Sequence, residues 1–570
     1  MSADVLSLAT QNATLWTSDL FDAETRAEAQ ALLEQGGDTL IEPFYKDLDF
    51  GTGGMRGIMG VGTNRINPYT LGLATQGLAV YAQHMGRKDL KAAIAYDSRN
   101  NSQSFARKVA EVLSANGVHT YLFEELRPTP ELSFAVRELG CDFGIVLTAS
   151  HNPKEYNGYK VYWNDGGQLV PPHDKGVIEQ VRATRFEDIR WDANEALIET
   201  VGTAIDDKYT DMVAGLSLSN AGKTELDIVF TALHGTSIVS VPPALAKAGF
   251  TNVQLVEAQS APDGNFPTVA SPNPEESAAL AMAVDQAEAT GADLVIGCDP
   301  DTDRVGIAAN DGTGKMQLLN GNDTAALLVH YILNAYKENG TLPSNGFTAA
   351  TVVTTDLIAD ISAAYGVPCY RCLTGFKWIA DIINHKPEEQ FLVGGEESYG
   401  YLIGDAVRDK DAVASAVMIA EMAANAKSQG RTVLQQLEAI HREFGQYQER
   451  LISITKKGRS GAQEIADMMT ALRNDPPKTL AGSPVVIAID HNNSTQTDLR
   501  TGATSSTALP ASNVLQFITE AGDKVSARPS GTEPKIKFYF SVRATTGDSH
   551  AATKAELERK IDTFIEELNL

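Results

Sequence analysis

Residues 143–163 read FGIVLTASHNPKEYNGYKVYW, and this stretch indicates the class of fold. An apolar run from Phe143 to Leu147 and a second run from Gly158 to Trp163 have the pattern of two strands. The pairs Asn152-Pro153 and Asn157-Gly158 between them favour a tightly turned loop over a helix. Ser150 therefore lies at a strand end, where the active-site loops of α/β sheets gather.

The same rhythm of strand and helix extends along most of the chain and predicts an α/β protein. Further strand patterns occur at 92–96, 228–233, 293–297, 347–354 and 391–393, and helical patterns occur at 24–35, 102–116, 275–290, 322–336 and 412–427. Such alternation is typical of βαβ units with largely parallel sheets. Beyond residue 444, strand patterns at 446–454, 484–490 and 535–542 and a helical pattern at 554–568 predict a smaller α+β domain. The polar segment 490–511 predicts a long mobile loop.

The length of 570 residues exceeds what one hydrophobic core supports, so we expect several domains. We predict three similar mixed-sheet α/β domains at 1–205, 206–325 and 326–445. The smaller C-terminal α+β domain would span 446–570.

The net charge of −26, from 73 acidic and 47 basic residues, argues against nucleic acid or an anionic membrane as a partner. Small phosphorylated substrates are still compatible with this net charge, because a few lysines and arginines in one cleft can outweigh the repulsion from the rest of the surface.

Several features favour a cytoplasmic location. No signal peptide is readable between Met1 and Leu20, and no uninterrupted apolar run reaches the roughly 18 residues of a membrane span. The chain has four cysteines, which are too few for a disulfide framework and favour a reducing compartment. Cys369 and Cys372 form an isolated C-x-x-C pair, for which ordinary thiols are the favoured interpretation.

The first chemical motif is Thr148-Ala149-Ser150-His151-Asn152-Pro153. A hydroxyl held at a strand end can carry a phosphoryl group, whereas the alternative is a serine that merely caps a turn. No G-x-S-x-G elbow indicates a hydrolase.

The second motif is Asp299-Pro300-Asp301-Thr302-Asp303-Arg304. Alternating carboxylates in an extended segment can converge on one hard cation, and magnesium is the natural occupant. An EF-hand is excluded, since its glycine and glutamate positions hold Arg304 and Asn310. A solvated acidic turn is the alternative.

The third motif is Ala527-Arg528-Pro529-Ser530-Gly531-Thr532-Glu533-Pro534. An arginine fork, two hydroxyls and the amides of a glycine turn make a phosphate cradle, and an ordinary turn is the alternative. Two weaker motifs accompany it. The segment 51–57, GTGGMRG, offers an anion contact through Arg56, and 394–400, GGEESYG, offers acceptors for sugar hydroxyls or, alternatively, a capped helix start.

Together and in this order, these motifs resemble the α-D-phosphohexomutase superfamily over nearly the whole chain, from about Asp49 onward. Residues 50–67 and 374–378 look most like its long branch, which also contains phosphopentomutase and glucose-1,6-bisphosphate synthase. The resemblance implies four domains around a central cleft. It also implies that Ser150 is phosphorylated and that Asp299, Asp301 and Asp303 bind Mg²⁺ together with that phosphate.

The resemblance implies roles for further residues as well. His151 and Lys160 match positions of proton transfer or substrate polarisation, and Arg56 and Arg304 match positions near the transferring phosphate. Contacts to the sugar and to its distal phosphate are implied for Thr374, Gly375, Lys377, Glu396, Ser398, Arg528, Ser530, Gly531 and Thr532.

The activity implied is interconversion of glucose 1-phosphate and glucose 6-phosphate through a hexose 1,6-bisphosphate, with mannose phosphates as further candidate substrates. The alternatives are a phosphopentomutase, a glucose-1,6-bisphosphate synthase and a catalytically silent phosphosugar-binding protein. The expected partners are sugar phosphates, and the expected state is a monomer or a homodimer.

Overall fold

The structure is a computed structural model that describes residues 3–51, 53–456, 458–530, 535–545, 547 and 549–570. The chain divides into two compact units, of which the first comprises 1–320, 376–393 and 398–432 and the second comprises 321–375, 394–397 and 433–570. Within the described residues, no helix combines the length and the apolar composition needed to cross a bilayer.

The first stretch of the chain forms a six-stranded mixed sheet flanked by helices. Its elements are α1 Ala3–Leu15, α2 Ala23–Gln35, α3 Gly37–Phe44, β1 Gly54–Ile58, α4 Pro68–His84, β2 Lys91–Tyr96, α5 Ser102–Ala115, β3 His119–Phe123, α6 Thr129–Glu138, β4 Phe143–Leu147, β5 Tyr156–Trp163, α7 His173–Ala183 and β6 Ile198–Val201. The strand order is β1-β5-β4-β2-β3-β6. β2, β3, β4 and β6 pair in parallel, whereas β5 is antiparallel to β4 and to β1.

The strand before Ser150 lies in the middle of this sheet, which explains its composition. All five residues of β4 are buried, so both of its faces are apolar, as expected of a central strand covered on two sides. Gly158 on β5 permits the close approach of β1 and the serine loop, because a Cβ there would lie 2.5 Å from the Thr148 carbonyl oxygen and 2.7 Å from that of Met55.

The second stretch forms a five-stranded mixed sheet in the same unit. Its elements are α8 Thr203–Gly215, β7 Ile228–Thr231, α9 Ser237–Lys247, β8 Val253–Leu255, α10 Glu257–Ser260, α11 Ser277–Thr290, β9 Leu294–Cys298, β10 Val305–Asn310 and β11 Met316–Leu319. The strand order is β11-β10-β9-β7-β8, parallel among β9, β7 and β8 and antiparallel on the other side. The acidic motif is the turn of the β9–β10 hairpin.

The third stretch contributes to both units. Its elements are α12 Gly321–Glu338, β12 Gly346–Thr351, α13 Leu357–Ala364, β13 Cys369–Cys372, α14 Lys377–His385, β14 Gln390–Gly395, β15 Tyr401–Ile403, α15 Ala412–Ser428 and α16 Val433–Phe444. In the second unit, β12 pairs in parallel with β13. In the first unit, the buried helix α15 packs against α8 and α9. Residues 396–399 form a turn, so the capped helix start considered for this motif is wrong.

The last stretch forms an antiparallel sheet with two helices, which confirms the predicted α+β character. Its elements are β16 Gln446–Thr455, α17 Gly458–Asn474, β17 Thr479–Leu480, β18 Ser483–Asp490, β19 Thr495–Asp498, β20 Thr504–Ser506, β21 Leu515–Thr519, β22 Lys524–Pro529, β23 Lys535–Ala544 and α18 His550–Glu567. The strand order is β16-β23-β22-β21-β18-β19-β20, with β17 beside β18.

The prediction of a long mobile loop at 490–511 is wrong. Strands β19 and β20 pair as an antiparallel hairpin that extends the sheet at its edge. These strands are half-buried or exposed, so they need no alternation of apolar and polar residues. Threonine and serine can therefore occupy this sheet edge, and the sequence pattern did not reveal it.

Candidate active site

Ser150 sits in a loop whose conformation turns its hydroxyl toward the acidic motif. Its φ of 53° is left-handed, a conformation that a non-glycine residue keeps only when its surroundings hold it there. Its backbone N–H donates to Thr148 Oγ1 at 2.8 Å, and its side chain is buried. The Ser150 Oγ donates to Asp299 Oδ2 at 2.9 Å and lies 3.1 Å from His151 Nδ1.

The β9–β10 turn gathers the three aspartates around one point. Thr302 has a left-handed φ of 59°, and the backbone N–H groups of Asp303 and Arg304 donate to Asp299 Oδ1 at 3.1 and 3.0 Å. Oxygen atoms from Asp299, Asp301 and Asp303 all lie within 4.8 Å of one another.

This cluster fits a divalent metal ion. All three side chains are buried, and Oδ1 of Asp301 and Oδ1 of Asp303 accept no hydrogen bond from any described residue. Buried carboxylate oxygens without donors are costly unless a cation satisfies them. Burial and the two neighbouring carboxylates raise the pKa of Asp299 well above its ordinary value, and the positive charge of Arg304 only partly offsets them. The three aspartates can therefore hold a metal ion, and a solvated acidic turn is excluded by their burial.

Lys160 and Lys410 supply the positive charge that balances the cluster. Lys160 Nζ donates to Asp301 Oδ2 at 2.6 Å and to Asp303 Oδ2 at 3.2 Å, and Lys410 Nζ forms an ion pair with Asp303 Oδ2 at 3.2 Å. Burial by itself lowers the pKa of Lys160, but the two carboxylates outweigh it and the pKa is raised. Burial likewise disfavours the charged form of Asp303, yet both lysines outweigh it and its pKa is lowered.

Lys410 is a site residue that no sequence motif predicted. It belongs to the run Arg408-Asp409-Lys410-Asp411, which precedes α15 and reads as an ordinary solvated charge cluster. All four of these residues are buried. The sequence signal that could have indicated burial of Lys410 is the position of this charged run directly before an apolar, alanine-rich helix.

The serine loop contains His151 and lies close to two arginines, Arg56 and Arg304. The Arg56 guanidinium donates to Asn152 Oδ1 at 3.0 Å, and Arg304 forms an ion pair with Glu275. Burial, followed by the positive charges of Arg304 and Arg56, lowers the pKa of His151 well below its ordinary value. The imidazole beside Ser150 Oγ is therefore neutral at physiological pH.

Residues expected to contact the sugar and its distal phosphate are divided between the units. In the second unit, the Gly375 N–H donates to Glu396 Oε1 at 2.8 Å. The Thr374 Oγ1 atom is buried and neither donates nor accepts a hydrogen bond among the described residues. Lys377 and Ser398 belong to the first unit, where Lys377 Nζ lies 5.1 Å from the Trp378 ring centroid.

Arg528 and Ser530 lie where β22 ends in the second unit. Arg528 is opposite Lys537 on β23, and the Ser530 N–H donates to the Lys535 carbonyl oxygen at 2.7 Å. Burial and the nearby Glu397 raise the pKa of Tyr539, whereas the nearby Arg528 acts to lower that pKa, so Arg528 and Glu397 both lie close to this side chain. Gly531 and Thr532 lie outside the described residues.

Comparison with known proteins places the chain among sugar-phosphate mutases. Sequence models described as phosphoglucomutase/phosphomannomutase α/β/α domains I, II and III match residues 47–188, 207–312 and 320–443. These matches, with the mixed sheets and the β-rich C-terminal stretch, confirm the predicted fold class.

Curated relatives and solved structures agree with these matches. The chain is 37% identical to a phosphoglucomutase of Staphylococcus epidermidis over 89% of this chain and 95% of the relative. It is also 37% identical to one of Staphylococcus aureus over 95% of this chain and 98% of the relative. A putative phosphomannomutase from Thermus thermophilus has a TM-score of 0.68 at 20% identity, covering 92% of this chain and 98% of that one. A Paramecium phosphoglucomutase has a TM-score of 0.65 at 18% identity, covering 92% and 96%. At these identities the two structures show the shared fold.

Proposed function

The chain belongs to the phosphoglucomutase/phosphomannomutase family, and on that premise we propose that it interconverts glucose 1-phosphate and glucose 6-phosphate through a phosphoserine at Ser150. It is an enzyme of the intramolecular phosphotransferase class. The observation that carries the proposal is the hydrogen bond from Ser150 Oγ to Asp299 Oδ2, since it joins a phosphorylatable hydroxyl to a buried metal-binding cluster.

The reaction has two phosphoryl transfers. In the first, the bond between phosphorus and Ser150 Oγ breaks and a bond to the free sugar hydroxyl forms, giving a hexose 1,6-bisphosphate and free serine. The hydroxyl proton passes to a base of the chain, for which the neutral imidazole of His151 is the candidate. Lys160, whose raised pKa keeps it protonated, is the candidate to return a proton to Ser150 Oγ or to polarise the substrate. The bisphosphate then reverses its orientation, and its other phosphate returns to Ser150. Added hexose 1,6-bisphosphate would therefore also activate unphosphorylated enzyme.

We assign Mg²⁺ to the aspartate cluster because oxygen-only donors suit a hard cation. Asp299, Asp301, Asp303 and the Ser150 phosphate would hold it. When bound, the ion neutralises charge on the transferring phosphate. Arg56 and Arg304 contribute further positive charge at the same place.

The remaining residues hold the sugar phosphate. Glu396 and Ser398 accept hydrogen bonds from sugar hydroxyls, and Lys377 with Thr374 and Gly375 selects the sugar. Arg528, Ser530, Gly531 and Thr532 clamp the phosphate that is not reacting. Arginine suits this clamp because its planar fork binds a dianion bidentately. Such remote contacts promote turnover by excluding water from the phosphoserine. We propose the cytoplasm, where sugar phosphates occur, as the location of the enzyme.

Coupled assays that offer glucose 1-phosphate, mannose 1-phosphate and ribose 1-phosphate in parallel test this proposal. We expect the highest kcat/KM for glucose 1-phosphate and a lower value for mannose 1-phosphate. A preference for ribose 1-phosphate would identify a phosphopentomutase instead. Net accumulation of glucose 1,6-bisphosphate without isomerisation would identify a bisphosphate synthase.

A further inference from the structure

Arg99 is a buried arginine whose guanidinium is enclosed by the serine loop. It follows β2, and its side chain has an exposed fraction of 0%. It donates hydrogen bonds to the carbonyl oxygens of Ser150 at 2.6 Å, Pro153 at 2.9 Å and Tyr156 at 3.1 Å, and also to that of Asn152. Three carbonyl groups of the loop between β4 and β5, and that of Tyr156 at the start of β5, thus converge on a single planar cation.

We propose that Arg99 is the positioning residue that fixes the phosphoserine loop, and thereby the direction in which Ser150 Oγ points. Carbonyl oxygens in a turned loop have no regular ladder of donors, so they need partners from elsewhere. Of the four, the Pro153 carbonyl oxygen also accepts from the Tyr156 N–H at 3.0 Å. The guanidinium presents several N–H groups in one rigid plane, whereas a lysine presents its donors around a single point. This assignment rests on the proposed function of Ser150 and concerns how that serine is held.

The orientation of the Arg99 side chain is itself fixed on two sides. Its Nε lies 3.3 Å from Asp97 Oδ2, while Asp97 Oδ1 accepts hydrogen bonds from the Arg99 N–H at 2.9 Å and from Ser102 Oγ at 2.7 Å. The guanidinium carbon also lies 5.1 Å from the ring centroid of Phe266, within the range of a cation–π contact.

Phe266 links the serine loop to the stretch of chain that carries the aspartates. Next to it, Gly264 packs so closely that a Cβ would lie 2.3 Å from the backbone nitrogen of Asn100. Arg99 therefore lies between the serine loop on one side and the 263–266 segment on the other. Because Ser150 Oγ must also contact Asp299, a guanidinium in this position holds the serine in a fixed orientation relative to the aspartate cluster.

The consequence for kinetics is specific. Arg99 has no exposed side-chain surface, so its loss should leave substrate affinity nearly unchanged. Its loss should slow the phosphoryl transfer step, because displacement of a reacting atom by about 1 Å costs roughly 100-fold in rate. A residue that contacts substrate equally in the ground and transition states would instead raise KM at unchanged kcat.

The test compares Arg99→Lys with wild type and with Arg107→Lys, a surface control on α5. Four quantities are measured: the melting temperature, KM for glucose 1-phosphate, kcat for glucose 1-phosphate, and the rate at which glucose 1,6-bisphosphate phosphorylates Ser150, followed by intact mass. We expect Arg99→Lys to lose about 100-fold in kcat and in phosphorylation rate while KM changes less than about 3-fold. Arg107→Lys should match wild type.

Phe266→Leu provides a second variant, since it changes no residue that accepts a hydrogen bond from the Arg99 side chain and replaces the ring that faces the guanidinium. We expect its phosphorylation rate to fall about 2- to 30-fold, the range spanned by exposed and desolvated cation–π contacts. A folded Arg99→Lys with wild-type phosphorylation rate, or one whose defect lies in KM, would overturn the assignment. If Arg99→Lys does not fold, an unchanged rate in Phe266→Leu would overturn it. Absence of turnover in wild type would refute the proposed function itself.

Discussion

At the scale of single residues, the aspartate cluster is a balance of buried charges. Three carboxylates share a small volume with two lysine ammonium groups, and two carboxylate oxygens have no donor among the described residues. Lys160 and Lys410 both contact Asp303, whereas Asp299 contacts neither and has a raised pKa. A bound cation would therefore satisfy the free oxygens of Asp301 and Asp303 and lower the pKa of Asp299.

Asp301→Asn should weaken metal binding and lower turnover, and added Mg²⁺ should restore turnover only in part. The substitution removes one charge from a site whose affinity depends on the number of carboxylates. We expect the Mg²⁺ affinity measured by calorimetry to fall on the order of 100-fold, at least as much as for loss of an outer partner. Asp285→Asn, an exposed position on α11, is the matched control. Wild-type activity that survives exhaustive chelation would refute the metal assignment.

Arg528→Ala should weaken sugar-phosphate binding by about 1.5 to 3 kcal/mol, the usual value for a hydrogen bond to a charged group. Forward and reverse reactions should suffer alike, because both substrates present a phosphate to the clamp. Arg528→Lys should restore binding only in part, since it keeps the charge and loses the fork. Steady-state kinetics in both directions measure this, with exposed Arg500→Ala as the control. Equal kcat/KM in Arg528→Ala and the control would remove Arg528 from the clamp.

At the scale of elements, the buried strands could be predicted from the sequence and the polar strands could not. β4 and β9 are buried along their whole length, so their apolar runs predicted them closely. β19 and β20 contain mainly threonine, serine and other polar residues at a sheet edge, so no alternation marked them. Their pairing depends on neighbouring strand β18, which a local pattern does not reveal.

Part of the site could be predicted from the sequence, because some of its residues directly follow strands with a clear apolar pattern. Ser150 and the three aspartates lie in short motifs after strong strands, and the structure brings them together. Lys410 is far away in sequence and Arg99 acts only through backbone carbonyl groups, so neither forms a local motif with the serine. Their roles depend on tertiary packing.

Glu421 on α15 should be a major contributor to stability. Its side chain is fully buried, forms an ion pair with buried Lys223 at 2.9 Å, and accepts hydrogen bonds from the N–H groups of Leu218 and Ser219. Glu421→Gln leaves the Lys223 ammonium buried without a counter-charge, so we expect the free energy of unfolding to fall by about 3 to 5 kcal/mol. Denaturant unfolding measures this. Glu288→Gln, which breaks the surface pair with Lys315, should leave the free energy of unfolding nearly unchanged because solvent screens that pair. Equal losses in the two variants would contradict the prediction.

Asp411, the N-cap of α15, should make stability depend on pH. Burial raises its pKa to about 6 from an ordinary 3.8, although N–H groups of Val413 and Ala414 donate to it. Between these two values the folded state binds more protons than the unfolded state, so stability falls as pH rises through this window. The uncharged variant Asp411→Asn avoids this loss and keeps the capping oxygen.

The free energies of unfolding of wild type and Asp411→Asn should therefore diverge between pH 4 and 7. The divergence should favour the variant by on the order of 3 kcal/mol, the value of the pKa shift in free energy. Urea unfolding of both proteins at matched pH measures it. Parallel stability curves would show that Asp411 titrates normally in the folded protein.

At the scale of the whole molecule, the proposed chemistry is divided between two compact units. The first contains the serine loop, the aspartate cluster and both lysines, whereas the second contains Glu396, Arg528 and Ser530. With a net charge of −26, the protein depends on these few local cations to bind a phosphorylated sugar. The same acidic surface disfavours larger polyanions.

The most direct test of the central claim follows a labelled phosphate from Ser150 in a single turnover. Enzyme carrying a radiolabelled phosphoryl group is mixed with excess glucose 1-phosphate, quenched rapidly and analysed for label on protein and sugar. We predict that label leaves Ser150 at least as fast as kcat and appears first in glucose 1,6-bisphosphate and then in glucose 6-phosphate. Ser150→Ala should accept no label and show no turnover. Label that stays on the protein while isomerisation proceeds, or appreciable turnover by bisphosphate-primed Ser150→Ala, would contradict a phosphoserine mechanism.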